Sequence, residues 1–487
     1  MVQLSVIDRR TAANMAASEP PLVVDLDGTL LRTDLLIESF FSLLSARPLA
    51  ALATLASLRH GKAAFKATIA AETDLDFHSL PLNDELVALI RAERAKGRAV
   101  YLASATDRRL AEAVAGALEL FDGVLASDGK TNLKGAAKAE ALVAQFSDGG
   151  FDYAGNARAD LPVWARARGV IVAGAGARFR HAVEAHFPAA RHVDPRRATL
   201  RDYARALRCH QWLKNLLIVV PAAAAHRFAP VLAPLLLLAF ASFSLCASSV
   251  YLFNDLLDLG NDRAHASKRR RPLAAGRINL VHAILLVPAL LAGAVALAWK
   301  LPHGFLAVLL GYYALTMAYS LWLKRQVTMD VIALACLYGV RLAAGGVVAG
   351  VVLSPWFVAF STFLFLSLGI VKRCTELVDR IAKGDGDPRG RSYIQRDLPM
   401  LEAMAVGSGY VAIMVFALYI NSPAVTVLYR NPDYLWAICL VLFYWISRIL
   451  LMVHRGEMHE DPVVFAVTDW KSLVCGALAV AIVLASI

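Results

Sequence analysis

The chain has 487 residues, 58% of them hydrophobic, and a mean hydropathy of +0.53. That balance excludes an ordinary soluble enzyme and fits a chain that is partly in membrane and partly in water, with length for two or three domains. The net charge of +11 admits nucleic acid, anionic lipid or phosphorylated substrates, and only its distribution separates them.

The first twenty residues contain no apolar h-region, so no cleaved signal peptide is expected. From there to about Pro195 the pattern is soluble, with short apolar strands such as Leu22-Val23-Val24 and Val100-Tyr101-Leu102 alternating with polar helical stretches. Val23-Val24-Asp25-Leu26-Asp27-Gly28-Thr29-Leu30 reads as a strand that ends in two aspartates and a glycine turn. Asp25 at the end of a parallel strand can attack a phosphoryl group, Asp27 can protonate the leaving oxygen, and Gly28 lets the backbone approach the phosphate. Three elements follow in order. Ser104 closes the strand at Val100 and can hold a phosphate oxygen. Lys138, with Lys134 as its rival, can neutralise nucleophile and phosphate. Asn156 and Asp160 can complete a Mg²⁺ site.

This ordered set resembles the haloacid-dehalogenase (HAD) superfamily of phosphatases over residues 20–175. The resemblance implies an α/β HAD-like (Rossmannoid) domain over residues 1–195, with a helical cap inserted at about 32–97. The chain departs from that pattern at Asn156, where the family has an acid. An amide oxygen coordinates Mg²⁺ with less charge. Two readings therefore stand: an active phosphatase, or an inactive docking module.

From about Trp212 long apolar runs follow one another, at 213–226, 231–254, 279–299, 304–322, 328–350, 355–374, 402–421, 434–453 and 472–487. They predict an all-α polytopic membrane domain of about nine helices over residues 196–487. Pro221 makes the first run the weakest. The loops sort by charge. Arg263, Lys268 to Arg271, Arg277, Lys324, Arg325, Lys372, Arg373, Arg389, Arg391, Arg455 and Lys471 fall on one side, and little beyond Arg227, Lys300 and Arg430 on the other. The positive-inside rule puts the first set, and the amino-terminal domain with it, in the cytoplasm at the inner (plasma) membrane. A basic set on one membrane face argues against nucleic acid and for phosphate-bearing substrates. The six cysteines are scattered singly and read as packing residues. The turn 384–388 lacks the ligands of a calcium loop.

Residues 254–262 read Asn-Asp-Leu-Leu-Asp-Leu-Gly-Asn-Asp. On a helix, Asp255, Asp258 and Asp262 share one face. Carboxylates gathered at the end of an apolar helix are costly unless a cation neutralises them, and Mg²⁺ typically takes one or two carboxylates with substrate phosphate oxygens. A basic cluster, Lys268-Arg269-Arg270-Arg271, follows at once.

The ladder resembles the NDxxDxxxD motif of the UbiA superfamily of intramembrane prenyltransferases. The second acidic motif of aromatic-prenylating members is missing, because Leu334 stands four residues beyond Asp330. That departure, with Gln211-Trp212-Leu213-Lys214-Asn215, Tyr319, Lys324, Arg341, Lys372, Arg373, Glu376 and Asp461-Pro462, resembles the polyprenyl-phosphate phosphoribosyltransferase branch. The resemblance implies transfer of 5-phosphoribose from phosphoribosyl diphosphate to a polyprenyl phosphate among the membrane lipids. Asn254 and the ladder with Mg²⁺ would hold the diphosphate. Lys214, Lys268, Arg271, Lys324, Lys372 and Arg373 would bind the other phosphates. The HAD-like domain is expected to remove the 5-phosphate of the lipid-linked product. The competing expectation is prenylation of an aromatic ring from a polyprenyl diphosphate. Arg341 inside an apolar helix is a functional candidate, with a structural pair to Asp330 or Glu376 as the alternative.

Overall fold

The computed structural model describes residues 19–487 apart from 74, 129–130, 195–197, 228, 266–267, 385, 387–392 and 459–460, and apart from the side chains of 424, 426 and 427. Most of the first twenty residues, part of the 384–388 turn, and the loop arginines Arg389 and Arg391 lie outside these residues. The chain forms two compact units, one of residues 1–206 and 252–285, the other of residues 207–251 and 286–487. The first unit thus takes the ladder segment as well as the amino-terminal region, a division different from the expected boundary at residue 195.

The first unit is built on six parallel strands in the order β3-β2-β1-β4-β5-β6. They are β1 (Leu22–Val24), β2 (Val100–Asp107), β3 (Gly123–Ser127), β4 (Asp152–Gly155), β5 (Gly169–Ala173) and β6 (Arg191–Val193). Strand β1 is apolar throughout and fully buried, as a central strand covered on both faces must be. Leu22 pairs with Val100 on one side and Asp152 on the other. The sheet reverses direction of growth between β1 and β4, and such a switch point opens a crevice at the carboxyl ends of the strands. Between β1 and β2 the chain inserts helices, among them α1 (Leu35–Ala46), α2 (Lys62–Glu72) and α3 (Asp84–Ala95). Asp34 caps α1 and Asn83 caps α3, each accepting from a backbone N–H of the first turn (both 3.1 Å).

The same unit contains the end of α4 (Leu232–Leu257) and the short helix α5 (Leu259–Ala264). The ladder was expected on one helix. The structure interrupts it at Asp258, which is the N-cap of α5. The i to i−4 hydrogen bonds nevertheless run through the break, from Asp258 N–H to Asn254 and from Asp262 N–H to Asp258, so the residues keep nearly helical spacing. Arg263 of α5 donates to both carboxylate oxygens of Glu38 on α1 (3.0 and 2.5 Å) and to the Ala274 carbonyl (3.0 Å). Glu38 also accepts from the Thr33 hydroxyl.

In the second unit the apolar runs become helices of membrane-crossing length. Among the described residues there are seven, counting α4, or eight if the bent pair Pro462–Thr468 and Trp470–Ser486 is one span. The others are α6 (Leu280–Ala298), α7 (His303–Leu321), α8 (Met329–Ala349), α9 (Pro355–Lys383), α10 (Leu398–Ile420) and α11 (Trp436–His454). Both α4 and α6 pass from one unit into the other. The expectation of nine spans fails at 213–226. That segment is a 3-10 helix (Cys209–Val219) followed by a five-residue helix (Val220–Ala224). It carries buried Lys214 and Asn215, and Pro221 supplies no N–H for a continuous ladder. It packs closely on α8, where a Cβ on Gly345 would collide with the Ile218 backbone. Serine hydroxyls join helices in this unit, Ser242 to the Ala294 carbonyl and Ser249 to the Val287 carbonyl (both 2.8 Å). Phe243 packs against Phe305 and Tyr312, with ring centroids 5.7 and 5.0 Å apart.

The Arg263–Glu38 pair yields a prediction. Both side chains are buried, so Glu38→Ala leaves a guanidinium without its counter-charge and should cost about 3 kcal/mol. The denaturant midpoint of the detergent-solubilised chain reports the loss, and replacing both residues by apolar ones should restore part of it.

Candidate functional sites

The crevice at the switch point is a cleft of about 270 Å³ lined by Asp25, Asp27, Lys66, Lys134, Lys138 and Asn156, among others. Asp25 follows β1. Its carboxylate accepts from Lys138 Nζ (2.6 Å) and the Thr29 hydroxyl (3.1 Å). Lys138, rather than the exposed Lys134, is the cation on the first aspartate, and it also donates to Tyr153 Oη (2.9 Å) and the Ala103 carbonyl (3.2 Å). Burial raises the Asp25 pKa against the opposing pull of Lys138. Asp27 accepts from the Leu35 N–H (2.8 Å) and the Thr106 hydroxyl. Burial first, and then the Asp34 charge, push its pKa up to about 7, which suits a group that must carry a proton.

Asp160 and Ser104 make internal hydrogen bonds at this cleft. Asp160 was expected to ligate metal, and its oxygens accept from Tyr153 Oη (2.9 Å), Asn156 N–H (3.0 Å) and Ala157 N–H (2.9 Å). These bonds shape the turn after β4. Ser104 was expected to hold a phosphate oxygen. It is buried, and its hydroxyl oxygen accepts from the Thr106 N–H (3.0 Å), so it braces the residue that reaches Asp27. Asn156 packs over Gly28, where any Cβ would collide with the amide and φ is +76°. Asp25, Asp27, Asn156 and Asp160, the oxygen donors expected for a cation, all line the cleft. Thr29, Thr106 and Tyr153 were not singled out from sequence. Thr29 lies within the aspartate motif, whereas the other two carry no sequence signal.

In the ladder, Arg271 Nη1 donates to Asp255 Oδ1 (3.2 Å) and Asp262 Oδ2 (2.7 Å). Two carboxylates thus reach a single positive point. Burial lifts the Asp262 pKa to about 6, with Arg271 pulling the other way. Asn254 Oδ1 is buried and accepts no hydrogen bond. Asp258 is half-buried at the break, and Lys268 is exposed in the following turn. No group of three His, Cys, Asp or Glu side chains sits at ligand spacing among the described residues. The donors still fit a divalent cation. Arg271 occupies the point that such an ion would share between Asp255 and Asp262, and the orphaned Asn254 oxygen is a third donor.

The second unit gathers the remaining candidates in two clusters. In the first, Asp461 accepts from Lys214 Nζ (2.6 Å) and lies 3.0 Å from Lys372 Nζ. Burial would raise its pKa, but Lys372 and Lys214 together hold it well below the usual carboxylate range. Asp461 was noticed only as part of an Asp-Pro pattern and given no role. In the second, Arg373 grips Asp330 through Nε and Nη2 (2.5 and 3.1 Å) and also donates to Tyr319 Oη and Glu376 Oε2 (both 2.6 Å). Lys324 is half-buried in the turn between α7 and α8. Arg341 forms no ion pair with Asp330 or Glu376, nor with any other carboxylate among the described residues. It donates to Asn215 Oδ1 (2.8 Å), Tyr312 Oη (3.1 Å) and the Leu337 carbonyl, with its guanidinium 4.8 Å from the Tyr312 ring centre.

The ladder geometry predicts that Asp255→Asn together with Asp262→Asn weakens Mn²⁺ binding by at least about ten-fold, as loss of supporting carboxylates does at metal sites. Electron paramagnetic resonance of free Mn²⁺ in a titration of the full chain measures it.

Residues 215–473 match the model of the UbiA prenyltransferase family. The uncharacterized protein y4nM of Sinorhizobium fredii is 37% identical over 94% of this chain and 89% of its own length. Nodulation protein NoeC of Azorhizobium caulinodans is 34% identical over 56% of this chain and 89% of its own. The decaprenyl-phosphate phosphoribosyltransferase of Mycolicibacterium smegmatis is 37% identical over 36% of this chain and 56% of its own. With the apolar helices that the fold provides, these likenesses show that the chain is an integral-membrane protein belonging to the UbiA prenyltransferase family.

Proposed function

We propose that the chain transfers 5-phosphoribose from phosphoribosyl diphosphate to a polyprenyl phosphate at the cytoplasmic face of the inner membrane. The observation that carries this reading is the closure of Asp330. Where a second acidic pair would take a prenyl diphosphate, the only carboxylate of the expected pair is held on two oxygens by Arg373, beside Tyr319 and Glu376. A single acidic ladder serves one diphosphate, and the neighbouring cations suit further phosphates. The likeness to a decaprenyl-phosphate phosphoribosyltransferase supports a phosphoribosyl group as the part transferred and a polyprenyl phosphate as its acceptor.

In this reading Asp255, Asp262 and the Asn254 amide would hold Mg²⁺, with Asp258 beside them. The chemistry that a bound Mg²⁺ supplies there is neutralisation of the departing diphosphate. Arg271 and Lys268 bind diphosphate oxygens once the carboxylates have another partner. The bond from the sugar C1 to the diphosphate oxygen breaks as the lipid phosphate oxygen bonds to C1. The acceptor is already ionised, so no general base is required, and the chain contributes position and charge. Lys214 and Lys372, gathered on one carboxylate at Asp461, are the donors this reading gives to a further phosphate.

The amino-terminal cleft is read as a phosphate-monoester hydrolase of the HAD type. Asp25 attacks phosphorus and the ester P–O bond breaks, with the leaving oxygen taking the proton held by Asp27. Water then displaces Asp25 and returns a proton to Asp27, releasing inorganic phosphate. The raised pKa of Asp27 supports its part as the acid.

Membranes given radiolabelled phosphoribosyl diphosphate and polyprenyl phosphate should yield lipid-soluble label. Chelation of Mg²⁺ should abolish the signal, and Asp255→Asn should lower it about 100-fold or more, a loss typical of removing charge stabilisation. No lipid-soluble label, with transfer from a prenyl diphosphate to 4-hydroxybenzoate instead, would assign the aromatic prenylation reaction. Phosphate release that Asp25→Asn leaves unchanged would make the amino-terminal region a docking module.

A further inference from the structure

The cleft around Asp25 and Asp27 is not walled by the sheet region alone. Asn279, Leu280 and Val281 form part of its lining, and they are the residues at which the membrane-length helix α6 (Leu280–Ala298) begins. Most of that helix is uncovered by protein, as a lipid-facing span requires, so its first turn belongs at the polar boundary of the bilayer. Val281 is 46% exposed, an apolar side chain on the rim of a cleft otherwise equipped for phosphate.

This wall is fixed in place by several bonds. The segment leading to it is held by Arg263 on Glu38 and on the Ala274 carbonyl. Arg277 lies 3.4 Å from Asp202, and Tyr203 Oη lies 3.1 Å from His282 Nδ1. The beginning of a membrane span is therefore built into the cleft, with Lys66 and Lys134 supplying positive charge on the same lining.

We infer that the cleft's substrates are phosphate monoesters carried on a membrane lipid, and that Val281 is a specificity-determining residue for them. The inference rests on the phosphatase reading given above. A lipid-linked ester places its phosphate at Asp25 while the chain that anchors it leaves past Val281 into the bilayer. A free sugar phosphate fills only the phosphate end and leaves Val281 against water. The reaction consumes one water, breaks the ester P–O bond, and yields the lipid-linked alcohol and inorganic phosphate.

The test uses the full chain in phosphatidylcholine vesicles with Mg²⁺ and two probes that share one phosphate ester, synthetic farnesyl-phosphoribose 5-phosphate and free ribose 5-phosphate. The expected kcat/KM favours the lipid probe by about ten-fold or more, the discrimination that an apolar contact can supply. Val281→Asp should collapse that ratio, and Val281→Leu should keep it. A wild-type ratio near one, with Asp25-dependent hydrolysis of both probes, overturns the inference alone. Hydrolysis of neither probe, or hydrolysis that persists in Asp25→Asn, overturns the phosphatase reading and the inference with it. The wild-type ratio decides the matter even where a variant fails to fold.

Discussion

A carboxylate taken out of water needs a cation beside it, and that requirement organises both units of this chain. Asp255 and Asp262 share Arg271. Asp25 has Lys138, Glu38 has Arg263, Asp330 has Arg373, and Asp461 has two lysines. Some of these partnerships are structural, and others are poised to be exchanged. The Glu38–Arg263 pair is doubly bonded and buried on both sides, so it acts as a fastener. Arg271 is partly exposed and bridges two carboxylates.

The contrast between Asp330 and Asp461 bears on the chemistry. Asp330 is saturated by a planar guanidinium that meets both its oxygens, a geometry that leaves little room for a metal ion. Asp461 instead faces two ammonium groups, those of Lys214 and Lys372. Arg341 follows a third logic. Its charge is satisfied by neutral oxygens and an aromatic ring rather than by an acid, which leaves its full positive charge in the membrane interior.

The cleft of the first unit shows how a membrane helix can take part in a soluble-type site. The strand order alone places a crevice at the ends of β1 and β4. The first residues of α6 then add an apolar rim to it.

The sequence by itself determined what is local. The helices of membrane-crossing length followed from hydropathy, the parallel strands from short apolar runs, and Asp25, Asp27 and the ladder stood out as candidates through their close spacing. The count of spans was read too high, because the apolar composition of 213–226 hid a 3-10 segment whose Lys214 and Asn215 are buried for contact with distant residues. Only the tertiary structure decided the partners. Lys214 meets Asp461 across 247 positions and Arg263 meets Glu38 across 225, while Asp160 accepts hydrogen bonds within its own turn. Charge pairing depends on distance in space, which falls off within a few ångströms. A sequence gives the charges and their order along the chain, and the fold alone sets the distances between them.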